Sequence, residues 1–102
     1  MTIVTLINTL AVKPGRIDEF ISVQEQFATA MSDHQPGLVG GRMYRNLEGS
    51  RAVLVSQFES TEAQLATTGN AEFKAHLAKI REMVDSSNPD SYEVAYTYGT
   101  FR

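Results

Sequence analysis

Residues 3–12, IVTLINTLAV, form a β-branched and almost uninterrupted apolar run. A strand with one wet face alternates apolar and polar residues, whereas a run like this is expected where both faces are covered. Ile3–Val12 is therefore read as a central, doubly buried strand, and the rest of the chain has to be arranged to cover it. The run is not expected to be a secretory signal. It has no basic segment before it, Thr and Asn interrupt it, and it leads directly into Lys13-Pro14-Gly15. No apolar stretch approaches the roughly 20 residues that span a bilayer as a helix, so the chain is expected to be soluble, with no membrane partner.

The remaining elements follow from periodicity and breakers. After Pro14-Gly15, the residues Ile17, Phe20, Ile21, Phe27, Ala28 and Met31 recur at three- and four-residue spacing, an amphipathic helix of about five turns with Gln24 on its apolar stripe. Pro36-Gly37 ends the connection. LVGGRMYRN (38–46) and AVLVSQF (52–58), joined by LEGSR, predict a β-hairpin. Thr61-x-x-Gln64 is a capping box for a short helix that Gly69 stops, and Asn70 caps a longer one through Val84. SSNPDS (86–91) reads as a breaker, and YEVAYTYGTF (92–101) as an aromatic-rich final strand.

Strand, helix, strand, strand, helix, strand is the ferredoxin-like βαββαβ plan, an α+β fold with both helices on one face of an antiparallel sheet. At 102 residues the chain is one domain, 1–102. Two helices cover one sheet face only, yet Ile3–Val12 and Tyr92–Phe101 are apolar on both alternating sets. The bare face is therefore expected to pack on a second copy, giving a homodimer.

Composition removes several function classes. The net charge of −3 is scattered, with no Lys/Arg-rich run, so nucleic acid is not an expected partner. Without cysteine there is no disulfide framework, thiolate nucleophile or Cys-ligated metal, which fits a reducing compartment and a cytoplasmic protein. Gly40-Gly41 lies in a strand without the following helix that a phosphate site needs, and no HExxH helix or nucleophile elbow is present. Hydrolase and nucleotide-binding readings fall away.

Chemistry then concentrates on a few polar residues at apolar positions. His76 lies within the stripe Phe73, Leu77, Ile80, Met83, Val84, where an imidazole is either satisfied by a core neighbour or used as a ligand or acid/base group. Asn8 shares an alternating set with Val4, Leu6, Leu10 and Val12, and a buried, unpaired amide costs roughly 1 to 3 kcal/mol, so it needs a partner from protein, water or ligand. Gln24 either skirts the core edge or faces a ligand. Phe58, Phe73 and the other aromatics are core or interface residues first, with Phe58 the best candidate to touch a ligand. Arg42, Arg45 and Arg51 read as a solvated face, and His34 as an exposed loop residue.

VKPGRIDEF after a strand, PGLVGGRMYR opening a hairpin, and VLVSQFESTEAQ passing from strand to helix resemble the antibiotic biosynthesis monooxygenase family, over essentially the whole chain. The resemblance implies a dimeric α+β barrel. Its haem-degrading branch uses an Asn on the first strand, a Trp ending the third and a His on the last helix; Asn8 and His76 match, while Phe58 stands where the Trp is expected. Against the cofactor-free branch, Phe58 again replaces a Trp, Leu54 an Asn, and Thr67 a His.

The function this implies is a small homodimeric monooxygenase that oxidises a planar aromatic molecule of quinol, anthrone or polyketide type with O2, in an apolar pocket between helices and sheet. No cofactor or metal is expected. His76 would act as base, Asn8 as hydrogen-bond donor, and Phe58, Gln24 and Phe73 would contact substrate. The alternatives are haem binding and degradation, with His76 ligating iron, and a non-enzymatic small-molecule binder or structural dimer.

Overall fold

The first strand, β1 (Val4–Val12), is paired on both sides. The computed structural model, which describes residues 2–102, orders the chain as β1, α1 (Ile17–Ser32), β2 (Leu38–Arg45), β3 (Arg51–Phe58), α2 (Thr61–Thr68), α3 (Ala71–Ile80), a 3-10 turn (Arg81–Met83) and β4 (Val84–Tyr92). The four strands form one antiparallel sheet in the order β2-β3-β1-β4. This is the βαββαβ plan, with its second helix divided where Gly69 and Asn70 predict a break. No helix is long and apolar enough to cross a membrane among the described residues.

Register decides which side chains meet the helices. Val4, Leu6, Asn8 and Leu10 stand opposite Phe58, Ser56, Leu54 and Ala52 of β3, so these eight share a face. Leu10 and Ala52 are fully buried there with Phe20 of α1, and Val12, Ile80 and Met83 complete the core cluster. At the far end of the same face Phe58 is 2% exposed. Both ends of the face are sealed, whereas Leu6, Asn8, Leu54 and Ser56 between them are only half-buried.

Local hydrogen bonds hold the turns. Asn46 Oδ1 accepts from the backbone N–H groups of Ser50 and Arg51, at 2.9 and 2.8 Å, and so fixes the hairpin. Asn70 caps α3 by accepting from the Glu72 N–H at 2.7 Å, as predicted. The cap of α2 falls one residue earlier than the Thr61 box: Ser60 Oγ accepts from the Ala63 N–H. Gln64, freed from the box, exchanges hydrogen bonds with the Ser91 hydroxyl of β4 at 2.8 and 3.0 Å.

The last strand departs from the expectation. SSNPDS, read as a breaker, lies inside β4, and the aromatic stretch read as a strand forms none beyond Tyr92. The 3-10 turn ends the helical stretch at Met83, Lys13 N–H donates to the Met83 carbonyl, and Val84 is thereby delivered opposite Val12. Pairing with β1 then overrides the weak strand propensity of Ser, Asn and Asp. Pro89 is tolerated because β4 is an edge strand and need not donate outward. Residues 93–102 continue beyond the sheet with Val94, Tyr96, Tyr98 and Phe101 68–82% exposed, and Arg42 Nη1 donates to the Arg102 carbonyl at 2.8 Å.

The opposite sheet face carries Thr5, Ile7, Thr9 and Ala11 of β1 with Val53 and Val55 of β3. No helix covers it, and apart from the buried Thr5 these residues are half-exposed in the single chain. Gly37 couples the two layers. Its φ of +80° is one that L side chains rarely adopt, and a Cβ there would lie 2.4 Å from the Ala63 Cβ of α2, whereas Gly15 has φ +77° with nothing within 4 Å. Gly15→Ala should cost about 1–2 kcal/mol in urea unfolding from its backbone alone, and Gly37→Ala about 2–5 kcal/mol because the clash adds to it. Equal losses for the two would mean that α2 does not press on Gly37.

Candidate functional site

The apolar stripe of α1 turns inward through Phe20, Gln24 and Met31, all buried. His76 and Ile80 do the same on α3. Where the two helices meet, the two polar residues find each other: His76 Nε2 hydrogen-bonds Gln24 Oε1. Phe27, one turn along α1, lies flat on the imidazole, with ring centroids 3.9 Å apart and planes within 3°, and it meets Phe73 at 6.0 Å and 58°. A histidine faces the core here because a glutamine amide satisfies one nitrogen and an aromatic face covers the ring.

Burial and, secondarily, the Lys79 ammonium push the pKa of His76 below its usual 6.5. The imidazole is therefore neutral at neutral pH and free to accept a proton. It is also reachable. A groove of about 500 Å³ opens between α1 and α3, lined by Val23, Phe27, Ala75 and His76 with Gln26, Glu72 and Lys79. Glu72, the carboxylate on this wall, lies 3.6 Å from His34 Nε2 at the exposed surface.

Asn8 sits on the helix-facing side of β1, half-buried, and its Oδ1 accepts from the Ser87 hydroxyl of β4 at 3.1 Å. That leaves its amide N–H groups as donors toward the half-covered middle of the sheet. Phe58 is on the same side but four residues further along, about 13 Å at the usual strand rise. Neither lines the groove at His76. The structure thus brings together His76, Gln24 and, through Phe27, Phe73, and sets Asn8 and Phe58 at separate positions on the sheet. Thr67, where the resemblance implies a histidine, is 2% exposed, and its hydroxyl donates to the Ala63 carbonyl at 2.9 Å.

Phe27 and Lys79 also take part, and each lies three residues beyond a polar residue on an apolar stripe, Gln24 and His76, and so on the same helical face. The arginines behave as expected: Arg45 pairs with Asp18 at 2.9 Å on the surface, and Arg42 with Tyr44 and the Arg102 carbonyl. No group of three or more His, Cys, Asp or Glu side chains able to hold a metal occurs among the described residues.

A testable consequence concerns stability. With the folded pKa of His76 below the unfolded 6.5, the unfolded chain binds more protons in acid. The contribution of neutral His76 is complete above about 6.5 and is lost as pH falls through the folded pKa. His76→Phe should therefore flatten the fall in Tm on acidification below that point. Parallel Tm–pH curves for the two proteins would contradict it.

A search of curated proteins finds no match. Among solved structures, SnoaB from Streptomyces nogalater, a cofactor-independent oxygenase, superposes with a TM-score of 0.85 at 23% identity, over 95% of this chain and 97% of that one. A Caulobacter crescentus protein gives 0.82 at 20% identity, over 93% and 92% of the two chains. A Nitrosomonas europaea protein gives 0.82 at 14% identity, over 96% and 95%. At these identities the likeness concerns the fold. Residues 3–79 match the family model described as antibiotic biosynthesis monooxygenase, most of the chain, and the protein belongs to that family.

Proposed function

We propose that this chain is a cofactor-free monooxygenase that oxidises a planar aromatic small molecule of quinol, anthrone or polyketide type with O2. The observation that carries the reading is His76: a desolvated, neutral imidazole, stacked on Phe27 and open to a groove, in a chain of a monooxygenase family. The cofactor independence of SnoaB, a structural neighbour, supports the absence of a cofactor.

In such a reaction the protein supplies little beyond a base, a dry site and an oxyanion donor. His76 takes a proton from the substrate, and the resulting anion gives an electron to O2. For an anthrone the methylene becomes a carbonyl; one oxygen atom enters the product and the other leaves as water, so no external reductant is needed. Phe73, packed on Phe27, flanks the base, whereas Asn8 and Phe58, expected as donor and stacking wall, stand apart on the sheet and do not line the groove at His76.

Haem fits these residues poorly. His76 Nε2, the nitrogen remote from the backbone, is engaged by Gln24 and is therefore not free to ligate iron.

The half-exposed apolar residues of the helix-free sheet face, with Tyr44 exposed beside Val53 on the same face, support a homodimer built on that face. A cysteine-free sequence supports a cytoplasmic setting.

Sedimentation at micromolar concentration should give about twice the 11.3 kDa chain mass, and Val55→Lys should halve it; a wild-type monomer would remove the dimer. For activity, His76→Ala should lower O2 uptake with an anthrone or quinol by about 100-fold or more. Haemin should give no sharp Soret band with the wild-type protein. A Soret band that His76→Ala abolishes would transfer the protein to haem chemistry, and a substitution that changes only Tm would make His76 structural.

A further inference from the structure

Gln24 looks at first like one more polar side chain bounding a pocket, but its contact with His76 is directional. A carbonyl oxygen only accepts, so a hydrogen bond between Gln24 Oε1 and His76 Nε2 requires the proton on Nε2. A neutral imidazole has one N–H, which leaves the lone pair on Nδ1. We propose that Gln24 is a positioning residue that locks His76 as the Nε2–H tautomer, so that Nδ1 is the nitrogen that removes the substrate proton. This rests on the reading of His76 as the base.

Three features of the surroundings hold the arrangement. Phe27 lies parallel to the imidazole and opposes the ring flip that would exchange the two nitrogens. Burial and Lys79 disfavour a second proton, so the ring does not lose its tautomer by becoming imidazolium near neutral pH. With Nε2 engaged by Gln24, Nδ1 is the nitrogen left for a reactant entering the groove between α1 and α3 that His76 lines.

The charged groups beside the ring are Lys79 and Glu72 on its own helix, with Glu72 drawn to His34. From α1 it meets the uncharged Gln24, Gln26 and Phe27. No carboxylate takes the place of Gln24. The imidazole is therefore oriented without having its basicity raised by a negative partner, unlike a histidine held by an aspartate.

The test is direct observation of the tautomer. Two-bond 15N–1H correlation spectra of the 15N-labelled protein, taken above the titration of His76, should give a pyrrole-type shift for Nε2 and a pyridine-type shift for Nδ1. His76→Gln assigns the signals. A bare Nε2, or shifts averaged over the two nitrogens, overturns the proposal whatever the variants do.

In Gln24→Leu the His76 shifts should move to the averaged pattern, and kcat should fall about tenfold or more while KM stays close to wild type, the mark of a badly presented base rather than lost binding. Gln24→Glu, whose ionised carboxylate still accepts from Nε2, should retain the tautomer and move the acid limb of kcat to higher pH. Loss of the tautomer with full activity overturns the positioning role. A wild-type protein with the Nε2–H tautomer but no His76-dependent O2 uptake overturns the reading of His76 as a base, and the assignment of Nδ1 to proton removal goes with it.

Discussion

The pairing of β1 on both edges is the constraint from which the rest follows. With β3 on one side and β4 on the other, its backbone donors and acceptors are satisfied within the sheet, and its register fixes which residues meet α1 and α3. A slip of one residue would turn Leu10 and Val12 away from Phe20, Ile80 and Met83 and expose the core. The irregularity between Ala11 and Val12 falls where the 3-10 turn brings Val84 in, so the sheet accommodates the end of the helical stretch without losing that phase.

Against this frame, the layer of helices is less uniform than a simple core. Leu10, Ala52 and Phe20 close one end, and Phe58 closes the other. Between them α1 and α3 devote inward positions to Gln24 and His76, which satisfy each other across the helix pair. A buried polar pair contributes little net stability compared with apolar residues of the same volume, but removing one partner strands the other. Such a pair favours a defined ring orientation over maximal stability, a trade expected where geometry serves chemistry.

Much of the plan is legible in the residues because hydrophobic periodicity and breakers encode it: the first helix, the hairpin around LEGSR, the Asn70 cap and the split of the second helix all follow from spacing. The final strand was not legible. Its side chains are exposed along most of their length, so they carry no burial pattern, and β1 recruits the segment through backbone hydrogen bonds that any sequence offers. The aromatic residues beyond Tyr92, in contrast, have strand propensity without a strand to pair with among the described residues. At the site, the anomaly of a polar residue on an apolar stripe identified Gln24 and His76 separately. That they touch depends on where the two helices approach each other, which neither helix encodes alone.

β4 also decides how sheets of this kind can meet. Pro89 sits in an outer strand that also carries Asp85 and Asp90, and supplies no N–H there. An incoming strand would find a missing donor and two negative charges, so end-to-end accretion through this edge is interrupted. The sheet is thereby steered away from one-dimensional growth, and contact through its broad apolar side remains the geometrically open alternative.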